Sequence, residues 1–525
     1  GLLALLMAAV LVSQLMAALL ARQVRQIGVL KAIGASKFNI FQIYGSMILV
    51  FGITAGIVAI PLSVYSGFAF ARFVAGIINF EILTTTLPAY VYVLLTLTSL
   101  ILPILLSLPS LLKGASMSVH DAISDYGIKE NTTSNKTEKT TSTFLPYSFV
   151  MAVRNTMRQK KRILITVITM ALGVAIFSTG FNVRSSLKVL LSDVKDGMKH
   201  DVQVVLTNQI SKEEALLPFK NINNISRIET WNGGRGELQS KVIASSDGIG
   251  IIALPYNTDL IKLRLIKGRW LNKSTTPEVV MNQQAADVYK GLTVGGYQTL
   301  HFGEKSVKVK LVGIVEEFDK GKIYMDINQY DSFTNPNHYI NSIMFVAKDN
   351  EYEKVIALKK DIEKAIAPSS LSVFYVMSQA ERVKVIYDHL NIILTTIVFL
   401  ALLVLIVSAM GMASATSINI MERTREIGVL RAIGATPKQI YKLFVNEGMM
   451  ISLASIVLGL LLAWPLSIIA SSFFGELMLG ISLRFSFSYS GFWITLFTTV
   501  IFGWLASRGP AQKAISVSTH QALSY

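Results

Sequence analysis

The chain has 525 residues, of which 52% are hydrophobic and only 16% are charged, with a formal net charge of +16. A soluble globular domain carries about 25% charged residues, whereas several stretches here run for roughly 20 residues without a charge, enough to cross a bilayer core. The absence of cysteine excludes disulfides, thiolate metal sites and cysteine nucleophiles. The composition therefore indicates a membrane protein.

Seven stretches are long and apolar enough to be membrane-spanning helices. They cover residues 2–20, 41–70, 88–111, 162–182, 390–419, 441–471 and 488–506. Gly1 lies inside the first apolar run, with no initiator Met and no signal-peptide pattern. We therefore expect the sequence to begin partway through a helix.

A polar region between the fourth and fifth spans, residues 184–388, is predicted to fold as a soluble α+β domain. Its β-like runs and a helical stretch lie at 202–206, 308–318, 341–347 and 351–367. Turns are predicted at Gly233-Gly234, Gly295-Gly296 and Asn335-Pro336.

Basic residues orient the chain, because short basic loops mark the cytoplasmic side of a membrane. They cluster after the first span, before the fourth and after the fifth. The alternation of spans then places residues 72–87, 184–388 and 472–487 outside. Of the net charge of +16, only +3 lies in residues 184–388. The positive charge thus reflects topology, and we expect no nucleic-acid partner.

The chain contains an internal repeat. Residues 24–41 match residues 424–441 without a gap, with ten identities in 18 positions. Each copy is followed by a span, an outside loop and a last span with a basic tail, and the polar run 129–143 separates the halves as a linker. Symmetry predicts that an intact chain has eight spans and two external domains.

Residues 424–435 are predicted to form a short amphipathic helix along the inner membrane surface, because Ile427 and Leu430 recur at helical spacing. Gly434 suits a helix C-cap, and Pro437 suits the start of the next helix. A plain juxtamembrane connector is the alternative. Duplication of the glycines and apolar residues favours a docking helix for a cytosolic partner.

The string REIGVLRAIGATPKQI at 425–440 closely resembles the cytoplasmic signature of the FtsX-like permease family, the MacB-type ABC transporters. In that family this segment is the coupling helix that docks on the nucleotide-binding subunit. Residues 151–177 resemble the family's entry into its first span, and residues 266–296 and 307–318 are similar to the MacB-like periplasmic core domain. The resemblance implies an ATPase-coupling role for Arg25, Gly28, Leu30, Lys31, Gly34, Glu422, Arg425, Glu426, Gly428, Leu430, Arg431 and Gly434.

The first copy departs from this signature at two acidic positions. Arg22 and Gln26 stand where the second copy has Glu422 and Glu426. If these acids pair with basic groups on the ATPase, the two docking sites are not equivalent.

Two apolar seams lie where spans leave the membrane, and their members recur every three to four residues. The seams consist of Val183, Leu187, Leu191 and Val194, and of Val376, Ala380, Val383 and Tyr387. They fit a two-helix stalk that carries the soluble domain, or ordinary helices packed on that domain's core. The family resemblance favours the stalk.

No nucleotide-binding or catalytic motif is found. The nearest match to a Walker A motif, at Gly303–Ser306, lacks the required spacing, and there is no G-x-S-x-G elbow. We expect a non-catalytic permease subunit with no catalytic residue, no metal and no cofactor on this chain. ATP and Mg²⁺ would be bound by a partner ATPase.

The fold class that we expect is a polytopic α-helical membrane protein with one extracytoplasmic α+β MacB-like domain on a helical stalk. The expected segments are a first FtsX-like repeat, a cytoplasmic linker, a juxtamembrane helix with a span, the MacB-like domain and a second FtsX-like repeat. Their bounds are 1–125, 126–146, 147–183, 184–388 and 389–525.

The resemblance implies an ABC transporter permease that works by mechanotransmission in the bacterial cytoplasmic (inner) membrane. It would couple cytosolic ATP hydrolysis to export or extraction of a lipid, lipoprotein or peptide substrate on the outer side. Its partners would be a dimeric cytosolic ABC ATPase and membrane lipids. One alternative is a regulatory protein that activates an extracytoplasmic partner such as a cell-wall hydrolase without transport, and another is a receptor without an ATPase.

Overall fold

The structure is a computed structural model. It describes residues 23–78, 80–84, 86–116, 160–238, 248–289, 291–317, 320–335 and 337–516, and the isolated positions 8, 12, 13, 16 and 20. The chain divides into two compact units. The membrane unit comprises Gly1–Asn182, Ile392–Ser467 and Ser488–Tyr525, and the domain unit comprises Val183–Asn391 and Ile468–Phe487.

The helices are labelled in chain order. They are α1 (Val24–Ala32), α2 (Lys37–Ile78), α3 (Ala89–Ser116), α4 (Lys160–Gly197), α5 (Lys212–Leu216), α6 (Gln283–Val288), α7 (Ile327–Thr334), α8 (Tyr352–Ile366), α9 (Gln379–Glu422), α10 (Thr424–Ala432), α11 (Pro437–Leu479) and α12 (Tyr489–Ser516).

Six helices in the described part of the chain are long and apolar enough to cross a membrane, namely α2, α3, α4, α9, α11 and α12. They correspond to the second to seventh predicted spans. The predicted first span, 2–20, lies outside the described residues except at isolated positions, so the count of seven stays a prediction. The linker 129–143 and residues 151–159 also lie outside the described residues.

Small residues bring together the four long helices of the second half, α4, α9, α11 and α12. A Cβ atom on Gly173 of α4 would lie 2.5 Å from Oγ of Ser408 on α9, and one on Gly459 of α11 would lie 2.7 Å from Val174. Such close approach is what favours helix association in lipid, where the hydrophobic effect no longer drives it. Each helix also supplies one member of a buried cluster: Met170, Met412, Ile451 and Ala506.

The first half is packed less completely. Helices α2 and α3 meet where a Cβ atom on Gly52 would lie 2.6 Å from the carbonyl oxygen of Ser99. Only 17% and 6% of their apolar stretches are buried, against 61% for that of α4. Helices α2 and α3 therefore keep most of their apolar surface exposed, as suits contact with lipid or with further spans.

The domain unit is built on a mixed sheet. Its strands are β1 (Val202–Ile210), β2 (Ile225–Leu238), β3 (Ile249–Leu254), β4 (Arg264–Gly268), β5 (Glu278–Asn282), β6 (Tyr297–Phe302), β7 (Lys305–Glu316), β8 (Lys322–Asp326), β9 (Ile340–Ala347) and β10 (Val373–Ser378). The order is β10-β1-β9-β2-β3-β8-β5-β7-β4, and β6 pairs with β2 and β7. The pairs β3/β8 and β5/β7 are parallel.

The predicted elements of this domain are largely confirmed. The strand predictions at 202–206, 308–318 and 341–347 correspond to β1, β7 and β9, and the helix prediction at 351–367 corresponds to α8. Alternation explains β1, because Val202, Val204 and Leu206 point to one buried face while their neighbours are more exposed. The turn at Gly295 is also confirmed, with φ of +94°.

The turn predicted at Gly233-Gly234 is wrong, because both residues lie inside β2. Here glycine serves close packing. A Cβ atom on Gly233 would lie 2.5 Å from the carbonyl oxygen of Ile251, and one on Gly234 would lie 2.7 Å from the hydroxyl of Tyr330. A glycine within a strand often marks such an approach.

Candidate functional site

The candidate site consists of two matched segments, here named the first repeat segment (residues 24–41) and the second repeat segment (residues 424–441). In each, a nine-residue helix, α1 or α10, ends before a glycine with a left-handed backbone, Gly34 at φ +101° or Gly434 at φ +102°. Glycine adopts this conformation without strain, which makes it the usual helix C-cap. The predicted C-cap at Gly434 and the helix start at Pro437 are therefore confirmed.

The capping hydrogen bonds are also repeated. The amide of Gly34 donates to the carbonyl of Lys31 over 3.0 Å, and that of Gly434 donates to Arg431 over 3.1 Å. The repeat continues beyond the segments, since α3 and α12 begin and end at positions that are 400 residues apart. The two halves thus have helices at matching positions, from the repeat segments to the last helix.

An inward apolar face anchors each segment. Ile27 and Ile427 are each only 1% exposed. Ile27 belongs to a buried cluster with Leu20, Ile40, Tyr44, Ile48 and Leu111. Ile427 belongs to a buried cluster with Ile420, Ile440, Phe444, Ala511 and Ala514. Each short helix is therefore held against the long helices that follow it.

An outward apolar face is repeated as well. Val29 and Val429 are 51% and 47% exposed, and Ile33 and Ile433 are both 77% exposed. Exposed branched side chains next to a helix end, at equivalent places in both halves, suit a surface that a partner protein or the membrane interface covers. The repeat thus preserves both the anchor and the outward surface.

The other predicted coupling residues lie on or beside these helices. Glu422, Arg425 and Glu426 are exposed, and Gly28 and Gly428 are buried. A third group is partly exposed and consists of Leu30, Lys31, Leu430 and Arg431. The side chain of Arg25 lies outside the described residues. Their coupling role stays a prediction.

A buried ion-pair network, absent from the sequence predictions, fixes the second repeat segment. The guanidinium of Arg423 donates from Nη1 to Oε1 of Glu447 over 2.9 Å and from Nε to Oε2 of Glu426 over 2.7 Å. It also lies 5.5 Å from the ring centre of Phe444. Asn419 donates from Nδ2 to the second oxygen of Glu447 over 3.4 Å.

The side chains of Arg423 and Glu447 are only 11% and 4% exposed. Burial by itself would lower the pKa of Arg423, but the two carboxylates raise that pKa above its usual range. An acidic residue next to the apolar stretch of a long helix, such as Glu447 in α11, is the sequence signal that could have indicated this network. The same geometry modifies the expectation for Glu426, whose carboxylate already binds Arg423 within the chain.

The stalk seams are only partly helical. Val376 lies in strand β10, not in a helix, and it packs with Ala380 against the core of the domain unit. The prediction for Val376 is wrong because α9 begins only at Gln379. Its apolar spacing suits a half-buried strand as well as a helix.

The α4 seam is buried at Val183, Leu187 and Leu191, and Val194 is partly exposed. Hydrogen bonds from this stretch of α4 reach the segment around the end of α11: Ser186 Oγ lies 3.3 Å from Ser471 Oγ and accepts from the amide of Ser486 over 2.9 Å. Val383 and Tyr387 of α9 are partly exposed. The pairing of the two seams as a stalk stays a prediction.

A cavity of about 360 Å³ lies in the domain unit beside the end of α4. Apolar side chains, including those of Leu190, Val194 and Leu263, form part of its lining. Charged groups form the rest, among them Arg264 and Arg484, which both bind Oε2 of Glu316, over 2.9 and 3.0 Å. Ligand pockets in proteins commonly occupy about 300–1,000 Å³ and combine apolar walls with a few polar groups.

Within the described ranges, no three His, Asp or Glu side chains are placed to hold a metal ion. His200 illustrates the structural use of histidine here. It lies next to Trp231 and 2.7 Å from Nε2 of Gln379. Burial, helped by the charge of Arg382, lowers the pKa of His200 to about 4. This imidazole is therefore neutral near pH 7.

Comparison with protein families identifies two domains. The FtsX-like permease C-terminal model matches residues 1–119 and again residues 398–518. The MacB-like periplasmic core domain model matches residues 163–364.

Individual relatives agree with these matches. Over 275 residues, the chain is 26% identical to the macrolide export ATP-binding/permease protein MacB of Pasteurella multocida, covering 50% of this chain and 41% of that protein. It is 24% identical to the ABC transporter permease YtrF of Bacillus subtilis, covering 42% of this chain and 52% of YtrF. An ABC transporter permease of Methanocaldococcus jannaschii is 28% identical, over 40% of this chain and 54% of that protein. The matches thus span about half the length of these curated relatives.

Proposed function

Because the chain belongs to the FtsX-like permeases of the MacB type, we propose that it is the membrane permease of an ABC transporter that works by mechanotransmission. ATP would be hydrolysed on a separate cytosolic ATPase, which binds ATP and Mg²⁺. The two repeat segments would receive the motion of that ATPase and pass it to the long helices.

The observation that carries this proposal is the matched geometry of the two repeat segments. Each presents an exposed valine and isoleucine on one side and a buried isoleucine on the other. An ATPase dimer offers two equivalent surfaces, so a chain with two equivalent docking helices fits one dimer. One chain would then bind one ATPase dimer. This ratio agrees with two-fold symmetry, which is the commonest symmetry of protein assemblies.

The orientation follows from the distribution of charge. The repeat segments carry Lys31, Arg425 and Arg431, and short basic loops stay on the cytoplasmic side. The domain unit would then be extracytoplasmic, in keeping with the family description of its core domain as periplasmic. The membrane in question would be the bacterial cytoplasmic (inner) membrane.

The proposed cargo is a lipid, lipoprotein or peptide with amphiphilic character. Support comes from the cavity of about 360 Å³, where Leu190, Val194 and Leu263 lie near Arg264 and Arg484. A fluorescent zwitterionic lysophospholipid should bind the detergent-free chain in nanodiscs, because acidic as well as basic side chains line the cavity, and Leu190→Asp should weaken its binding. Leu217→Asp, at an exposed site of the same unit, is the control.

The test of the proposed function is recovery of an ATPase with the intact protein from its native membrane. The solubilised protein is captured gently, bound subunits are identified by mass spectrometry, and ATP hydrolysis is measured. We expect an ABC ATPase to co-purify and to be lost when Ile33→Asp and Ile433→Asp are combined.

Phe374→Asp is the matched control, since this residue is 73% exposed and apolar but lies in the domain unit. It should leave ATPase recovery unchanged. Absence of any ATPase from the wild-type complex, or equal loss in both variants, would contradict the proposal.

A further inference from the structure

The two repeat segments differ in what lies beneath them. Under the second, Arg423 bridges Glu426 at the start of α10 and Glu447 in α11, with ion-pair distances of 2.7 and 2.9 Å. The network thus ties the short helix α10 to the long helix α11 that follows it. Two further contacts support it: Asn419 in α9 donates to Glu447, and the ring of Phe444 lies beside the guanidinium of Arg423.

The first repeat lacks this network at every charged position. At the offset of 400 residues, Gln23, Gln26 and Met47 stand where the second has Arg423, Glu426 and Glu447. All three charges are replaced together by neutral side chains. A change of this kind avoids leaving one buried charge without its partner, which would be strongly destabilising.

The apolar residues beneath the two segments also differ, and the larger ones lie in the repeat that lacks the ion pairs. The first repeat has Ile48 and Leu111 in its buried cluster, where the second has Gly448 and Ala511 at equivalent positions. The first segment is therefore held by larger apolar side chains, whose contacts are non-directional. The second has smaller residues at these two positions and, beside its own apolar cluster, directed hydrogen bonds between charged groups, which fix orientation more narrowly.

We propose that Glu447 is a positioning residue that locks the second repeat segment through Arg423, so that the two segments transmit motion unequally. In this view, α10 is held rigidly against its long helices, and α1 is held less rigidly against its own. This inference rests on the proposed function for its consequence, namely that the ATPase drives the two halves of the permease by different amounts. Its structural part can be tested without an ATPase.

The experiment is hydrogen–deuterium exchange of the full chain in nanodiscs, in which α1 and α10 are compared within the same molecule. We expect the amides of α10 to exchange at least tenfold more slowly than those of α1. Glu447→Gln should raise α10 exchange to the level of α1 and leave α1 unchanged. Met47→Leu, at the equivalent position of the first repeat, should change neither.

A variant that removes all three charges guards against misfolding. Arg423→Gln, Glu426→Gln and Glu447→Met together give the second repeat the residues of the first, so no buried charge is left unpaired. We expect this variant to remain folded and to exchange throughout α10 at least as fast as α1.

Measuring ATPase association and ATP hydrolysis separately distinguishes a positioning role of Glu447 from a role in stability alone. In the complex with the ATPase, Glu447→Gln should keep ATPase association, because the outward face of Val429 and Ile433 is unchanged, but should lower permease-dependent ATP hydrolysis at least tenfold. Loss of both together would overturn the positioning role. Equal exchange of α1 and α10 in the wild type would overturn the inference, whereas slow α10 exchange with no ATPase recovered would overturn only the proposed function.

Discussion

In the first repeat segment, Ile27 packs on Ile48 and Leu111, whereas in the second Ile427 packs beside Ala511 and a buried ion pair supplies the remaining anchor. The helix lengths, the left-handed glycine and the exposed isoleucine are nevertheless the same in both. The outward valine and isoleucine are the same in both segments, whereas the exposed Glu426 has Gln26 at its equivalent position, and the inward residues that support each buried isoleucine differ.

This difference separates two requirements on the same segment. The outward surface must match a partner, and two matching surfaces suit a partner with two equivalent faces. The inward anchor must only hold the segment in place, which apolar packing or paired charges can each achieve. The comparison therefore predicts equal effects for outward substitutions and unequal effects for inward ones.

The largest expected effect comes from breaking the ion pair on one side only. Arg423→Gln leaves Glu447 buried without its partner and should destabilise the second repeat by about 3–5 kcal/mol. Gln23→Ala, at the equivalent position, should cost less than about 1 kcal/mol. Thermal unfolding of the solubilised chain measures both losses of stability. Equal destabilisation by the two variants would contradict the view that the two segments are anchored differently.

Substitutions on the outward faces of the two segments should weaken ATPase binding equally. Replacing Ile33 or Ile433 by Asp removes an exposed side chain whose burial against a partner contributes about 1.5–3 kcal/mol. Each single variant should therefore weaken ATPase binding by about tenfold to a hundredfold. Titration of the purified ATPase onto the chain in nanodiscs checks this, and an effect confined to one segment would break the equivalence.

The two glycine caps should also respond equally. Gly34→Ala and Gly434→Ala place a side chain on a left-handed backbone, at a cost of about 1–2 kcal/mol. No heavy atom lies within 4 Å of an added Cβ at either position, so the whole effect is conformational. Hydrogen exchange at the ends of α1 and α10 reports it, and a clear difference between the two would indicate unequal backbones.

The smallest loss of stability should come from breaking the more exposed ion pair of the network, between Arg423 and Glu426. Glu426 is about half exposed in its pair with Arg423, so solvent weakens the interaction. Glu426→Gln should cost about 0.2–1 kcal/mol, far less than Arg423→Gln. A cost as large as that of Arg423→Gln would mean that Glu426, and not Glu447, is the main partner.

Much of the fold follows from sequence periodicity. Apolar stretches predict α2, α3, α4, α9, α11 and α12, and alternation predicts β1 and β9, because these patterns depend only on the environment of each element. Gly434 and Pro437 could be placed for the same reason, since a helix end is a local feature.

The errors and omissions have a common cause in long-range contacts. Gly233 looks like a turn residue, but its lack of a side chain admits the Ile251 carbonyl of a neighbouring strand. Val376 fits helical spacing, but it lies in a strand and pairs with Val204 of β1. Arg423 and Glu447 meet only because a helix, a turn and a second helix fold back on each other, and single-residue patterns do not reveal such a meeting.

The docking of both segments on an ATPase is the central claim, and site-directed crosslinking in native membranes tests it most directly. Because the chain has no cysteine, Ile33→Cys and Ile433→Cys each introduce one reactive thiol for a short bifunctional crosslinker. The account predicts an adduct with an ABC ATPase from each variant and none from Phe374→Cys. An adduct from neither segment, or an equal one from Phe374→Cys, would contradict it.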